Sequence, residues 1–181
     1  MGIEKVPAKI DMLHGSLWDK LPRFALPVAA TAILEQLFNA SDIAIVGNFS
    51  SGDKTVAVAA VGANSPLIGL ILNLFIGIAL GANVVIANAI GRKDMQSVKK
   101  AVHTALIVAV LSGIVVTVIG ELVAGKVMGL LHVPDDVFSE ALLYLRIYLL
   151  GLPVIFLYNF EAAVFRSIGD TKIPLQALLI S

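Results

Sequence analysis

From Pro66 to Ile90 the chain reads PLIGLILNLFIGIALGANVVIANAI, twenty-five residues without one charged side chain. A helix of about 20 apolar residues crosses the roughly 30 Å hydrocarbon core of a bilayer, so this stretch is long enough to span it. In lipid the backbone must satisfy its own hydrogen bonds, and a single apolar run does so as a helix. The run closes on Gly91-Arg92-Lys93-Asp94. Within it, Gly77 and Gly81 form a Gly-x-x-x-Gly pair with Gly69 two turns back, spacing that predicts close approach of another helix. Asn64-Ser65-Pro66 predicts a distortion at its beginning.

Working outward, the same test finds an earlier span at about 21–49, ended by Gly52-Asp53-Lys54, and two later ones at about 101–124 and 137–165, separated by Gly125-Lys126 and Pro134-Asp135-Asp136. Asp170-Thr171-Lys172-Ile173-Pro174 reads as a helix start, with Asp170 or Thr171 as the cap and proline in the first turn. A fifth span therefore begins at about 172. The ten residues from Lys172 to Ser181 extend only about 15 Å, so the chain is expected to be the first part of a longer protein. The expected fold class is all-α: a polytopic helical membrane protein with four complete spans and the start of a fifth.

Composition agrees. Apolar residues make up 58% of the 181 and charged ones 14%, with a mean hydropathy of +0.92. A soluble domain carries about 45–50% apolar and about 25% charged residues. Thirteen basic residues balance thirteen acidic ones, which excludes a strongly basic nucleic-acid binder. The absence of cysteine removes disulfides, thiolate metal sites and cysteine nucleophiles. His14, His103 and His132 are too scattered for a metal cluster, and there is no His-Glu-x-x-His, Gly-x-Ser-x-Gly or Walker-type phosphate loop. No enzyme activity and no cofactor are expected.

Residues 1–20 read as a cytoplasmic or interfacial lead-in rather than a secretory signal, with Leu13, Leu17 and Trp18 as surface anchors. Lys5, Lys9, Lys20 and Arg23 precede the first span, Arg92, Lys93, Lys99 and Lys100 follow the second, and Arg166 and Lys172 follow the fourth. Lys54 and Lys126 stand alone on the other side, an asymmetry that predicts a cytoplasmic N-terminus.

The first span carries the chemistry. Glu35, Asn39 and Asp42 follow at intervals of four and three, so they share one helix face, with Gln36 beside it. Ionisable groups at membrane depth face a polar cavity or a partner, which predicts an ion or proton site; interhelical hydrogen bonding is the plainer alternative. Asn73 and Asn159 are candidates to line the cavity, and Pro27 is a candidate hinge. Arg146 is expected to pair with Glu121 or to snorkel.

Three short runs resemble the MATE (multidrug and toxic compound extrusion) family. Asp42-Ile43-Ala44-Ile45-Val46-Gly47 is similar to its Asp-x-x-x-Val-Gly at the end of helix 1. Ala59-Ala60-Val61-Gly62 leads through Pro66 to Gly77, Gly81 and Gly91, and Arg166-Ser167-Ile168-Gly169-Asp170-Thr171-Lys172-Ile173-Pro174 is similar to its Arg-x-x-Gly-Asp-Thr-x-x-Pro. The resemblance implies twelve helices in two six-helix lobes, of which residues 21–181 would be an incomplete first lobe needing the missing C-terminal part. It implies export of organic, often cationic, compounds coupled to inward flow of protons or sodium, in a multi-pass plasma-membrane protein, here expected in a bacterial inner membrane. It places Asp42 in the ion-coupling site and matches Pro27 to a proline early in helix 1, while Glu35 stands where the family more often has an uncharged polar residue. Partners would be the lipid bilayer and a small organic substrate. A lipid-linked saccharide flippase of the same superfamily and a non-transporting membrane fragment are the competing readings; acidic rather than basic polarity in the first span favours cation export.

Overall fold

The computed structural model describes residues 17–49 and 53–180. Leu13 and Ser181 lie outside the described residues, as does the side chain of Leu17. Five helices follow in order: α1 (Leu17–Phe49), α2 (Lys54–Gly91), α3 (Met95–Leu130), α4 (Asp135–Ser167) and α5 (Lys172–Ile180). The first four are long and apolar enough to cross a membrane. Trp18 stands 88% exposed in the first turn of α1, a suitable place for a surface anchor.

The helices are longer than their apolar runs. α2 has 38 residues and α3 has 36, about 57 and 54 Å at the usual rise. Hydropathy reads only the part that matches the hydrocarbon, whereas caps set where helices begin. Asp53 accepts a hydrogen bond from the Thr55 N–H at 2.8 Å, starting α2 twelve residues before the proline at which the apolar run begins. Asp94 accepts from the Ser97 N–H at 3.1 Å and the Ser97 hydroxyl at 2.6 Å, starting α3. α2 continues as helix through Asn64-Ser65-Pro66. There the Asn64 amide donates to the Ala60 carbonyl at 2.8 Å, and the Ser65 hydroxyl to that of Val61 at 3.1 Å.

Three helix ends share one turn. Lys93, His132 and Gly169 take positive φ values of 57°, 52° and 80°. In each case the next N–H reaches back five residues: Asp94 to Ala89, Val133 to Met128 and Asp170 to Phe165. This left-handed cap satisfies end carbonyls, and glycine adopts it without steric cost.

α4 is the centre of the packing, its buried side running through Val137, Ala141, Leu145, Leu149, Leu152, Phe156 and Phe160. α2 brings Ile68, Leu72 and Phe75 against it, with the Phe75 and Phe156 rings stacked 4.0 Å apart. Each neighbour is also tied to α4 by one side chain bonding to backbone. Fully buried Asn64 donates to the Ala141 carbonyl at 2.9 Å, and the Thr117 hydroxyl to that of Leu149 at 2.7 Å. The Tyr158 hydroxyl reaches the Pro174 carbonyl of α5 at 3.3 Å.

α3 is inverted by size. Ala105, Ala109, Gly113 and Ala124 face inward, Met128 being the large exception, while Ile107, Leu111, Val115, Val118 and Leu122 face outward. Lipid is as apolar as leucine, so large residues gain nothing by turning in, and small ones let backbones approach. A Cβ at Gly113 would stand 2.5 Å from the Cα of Pro153. This is the close approach that Gly69, Gly77 and Gly81 led one to expect on α2. At those three a Cβ meets nothing within 4 Å, because Gly77 and Gly81 are exposed while α2 packs inward through residues such as Ala79, Ile86 and Ala89.

Arg146 and Glu121 do pair across α4 and α3, at 3.6 Å with both side chains partly exposed. Asp170 is the cap of α5, its carboxylate accepting from the N–H groups of Lys172 and Ile173 at 3.1 and 3.3 Å. Pro174 follows in the first turn.

Candidate functional site

α1 is the least embedded of the four long helices and packs against α2 and α5. Its two internal prolines, Pro22 and Pro27, leave the helix unbroken, and the Thr31 hydroxyl donates to the Pro27 carbonyl at 2.9 Å. A proline removes the hydrogen bond that its own N–H would give to the preceding turn, so α1 is weakest at these positions. Its loose seating leaves a cavity of about 420 Å³ between α1, α2 and α4.

The polar face of α1 forms one wall: Glu35, Gln36, Asn39 and Asp42 all line the cavity. α2 contributes Ser65 and Asn73, next to apolar Ile68, Leu72 and Ile76, and a Cβ-free position at Gly69. α4 contributes Tyr144 and Tyr148, one turn apart with ring centroids at 6.3 Å. Five residues expected from the sequence thus meet around one space, from two helices.

Asn159 stands elsewhere. It follows Tyr148 by eleven residues, about 16 Å further along α4, and its amide donates to the Ile155 carbonyl of its own helix at 2.8 Å. Pro27 is likewise off the wall, two turns before Glu35. Tyr144, Tyr148 and Ser65 were not anticipated. The signal for the tyrosines is their spacing of four, which places both on one face of α4, but only packing shows that this face lines the cavity across from α1.

The cavity has the donors and acceptors for a small cation. Two carboxylates supply negative charge, three amide side chains supply neutral carbonyl oxygens, and two phenols supply hydroxyls and aromatic faces. Among the described residues, no three His, Cys, Asp or Glu side chains converge in a metal-binding group. The wall can hold a proton, a monovalent ion or an organic cation, and each would compete for the same negative charge.

The MatE family profile matches residues 27–181. The chain is 31% identical over 166 residues to the probable multidrug resistance protein YoeA of Bacillus subtilis, covering 92% of this chain and 35% of that one. It is 26% identical over 156 residues to the probable multidrug resistance protein NorM of Thermotoga maritima, covering 86% and 33%. Its fold is similar to that of a MOP superfamily transporter from Pyrococcus furiosus, with a TM-score of 0.84 at 22% identity, over 97% of this chain and 38% of that one. The chain therefore spans about a third of the length of the curated relatives it matches. With four helices able to span a membrane and a family match over most of its residues, this multi-pass membrane chain belongs to the MatE family.

Proposed function

We propose that the chain forms the N-terminal part of an ion-coupled antiporter that exports organic, cationic compounds across a bacterial inner membrane, its N-terminus in the cytoplasm. One observation carries this reading: the carboxylates Glu35 and Asp42 line a single cavity with Asn39, Asn73, Tyr144 and Tyr148, in a chain whose relatives are described as multidrug resistance proteins. The remaining part of the transporter would complete the cavity.

In this mechanism Asp42 binds the coupling ion, as a proton on its carboxylate or as sodium shared with Asn39. An inward-moving cation gains about 2.3 kcal/mol per charge per 100 mV from the membrane potential. Ion and substrate can drive a cycle only by binding two conformations unequally. A shared acidic wall couples the two, because occupation by one cation disfavours the other. Bending of α1 at Pro27 supplies the moving element.

The test is drug efflux from sealed vesicles containing the complete native protein, with a proton or a sodium gradient imposed in turn. Asp42→Asn is expected to abolish gradient-driven export of a cationic dye, and the gradient that drives the wild type identifies the ion. Undiminished export by Asp42→Asn overturns the assignment. The native chain lacks cysteine over these residues, so Gln96→Cys reports sidedness. It should react with an impermeant maleimide only from the cytoplasmic face.

A further inference from the structure

A second recess, of about 480 Å³, lies between α2 and α3, away from the acidic cavity. Its depth comes from small residues: Ala82 on α2 faces Ala101 and Ala105 on α3, over a floor made by buried Phe160 of α4. Its rims are the exposed apolar side chains of Ile78, Val85 and Val108. The groove follows α3 from Ser97 to Val108, eleven residues or about 16 Å, close to the half-thickness of the hydrocarbon core.

One end of this apolar groove is polar and basic. Ser97 and Lys100 line it there, Lys100 exposed, while Thr104 lies further along between Ala101 and Ala105. Arg92, Lys93 and Lys99 belong to the same turn and first helical residues. Asp94 is the single carboxylate in the stretch 92–100, and its oxygens are already engaged by the N–H and hydroxyl of Ser97. Exposed Lys100 therefore stands at the start of a slot about one leaflet long, with Arg92, Lys93 and Lys99 close to it in the chain.

We propose that this groove seats one anionic phospholipid from the leaflet on the basic side, with an acyl chain lying over Ala82, Ala101 and Ala105 and the headgroup phosphate held at Lys100. Apolar length, open rims and charge all match that ligand. A lysine at the end of an apolar slot can lay its stem along the chain and keep its ammonium at headgroup depth. Clustered basic residues beside a membrane helix attract anionic lipid.

The complete native protein in mild detergent, offered equal amounts of phosphatidylglycerol and phosphatidylcholine with identical acyl chains, tests this by native mass spectrometry. The wild type is expected to retain phosphatidylglycerol several-fold over phosphatidylcholine. Replacing both Lys99 and Lys100 by Gln should bring that ratio to about one. Val85→Trp, from an exposed rim, fills the slot without touching its charge and should lower retention of both lipids. Both variants lie at exposed positions, and unchanged elution on size exclusion verifies that they fold. Excess soluble glycerol phosphate should leave the bound lipid in place, since it has no chain to seat. Equal retention of the two lipids by the wild type, a preference that survives loss of the lysines, full retention in Val85→Trp, or displacement by glycerol phosphate would each overturn the proposal.

Discussion

Gly113→Ala should weaken the joint between α3 and α4, and its effect can be worked from the geometry. The added Cβ would lie 2.5 Å from the Cα of Pro153, and 3.2 Å from both its Cβ and its nitrogen. Carbon atoms pack at about 3.5–4.0 Å, so the two helices must part by about 1 Å at that point. Pro153 cannot yield locally, because its ring fixes φ and the contacted atoms are two of its backbone and one of its ring. One turn further along α3, the Thr117 hydroxyl donates to the Leu149 carbonyl at 2.7 Å. A separation of about 1 Å takes that bond beyond useful length. Overpacking costs about 1–3 kcal/mol, and an interhelical bond in a membrane contributes about 0.6 and at most about 1.7, for a loss of about 2–5 kcal/mol.

Gly125→Ala, in the same helix, is the control. A Cβ there meets nothing within 4 Å, so the exchange should stabilise by about 0.5–1 kcal/mol through helix propensity alone. The assay is the midpoint of heat-induced loss of the monodisperse peak of the native protein in detergent. Thr117→Val added to Gly113→Ala should cost almost nothing more, whereas in the wild type it should lower the midpoint. That non-additivity is the mark of a bond already broken. Equal midpoints for Gly113→Ala and Gly125→Ala, or fully additive effects of Thr117→Val, would refute the close-approach reasoning.

Further outcomes are expected of the same assay. Asn64→Ala should cost about 1–3 kcal/mol, since the Ala141 carbonyl loses its buried donor. Asn64→Asp should grow costlier as pH rises, because a protonated carboxyl can still donate to one of the Ala60 and Ala141 carbonyls and an ionised one to neither; a loss independent of pH counts against the assigned bonds. His132→Gly should raise the midpoint, removing about 1 kcal/mol of left-handed strain at φ 52°, and a lowered midpoint would show that the imidazole matters more than the turn. The Asp94 carboxyl is held below its ordinary value of 3.8, chiefly by the Ser97 hydroxyl and then by the Ser97 N–H. A depressed carboxyl stabilises the fold above its unfolded value and loses that contribution as pH falls through the folded one. Asp94→Ala should therefore melt below the wild type at neutral pH, with the gap closing in acid below about pH 4; a gap independent of pH would exclude the charged cap.

Much of the fold follows from local properties. An apolar run long enough to cross a bilayer must be helical wherever its neighbours lie, so the four spans and the start of α5 at Lys172 were legible. The polar face of α1 was equally legible, since a helix puts Glu35, Asn39 and Asp42 on one side whatever it packs against. Capping chemistry also acts within a few residues. Asp170 was legible as such a cap, whereas Asp53 and Asp94 were read only as loop residues, and hydropathy alone places α2 too late.

The partners of these faces were decided by packing. Small-residue spacing occurs on both α2 and α3, and the sequence does not say which set touches a neighbour. The structure gives close approach to Gly113 and leaves Gly77 and Gly81 open. Tyr144 and Tyr148 become cavity walls only because α4 presents them to α1, and Asn159, on the same helix, stands three turns away from that cavity. Helical periodicity sets which residues of one helix share a face. Which faces meet depends on contacts between residues far apart in the chain, such as Asn64 with Ala141, and these exist only once the helices have assembled.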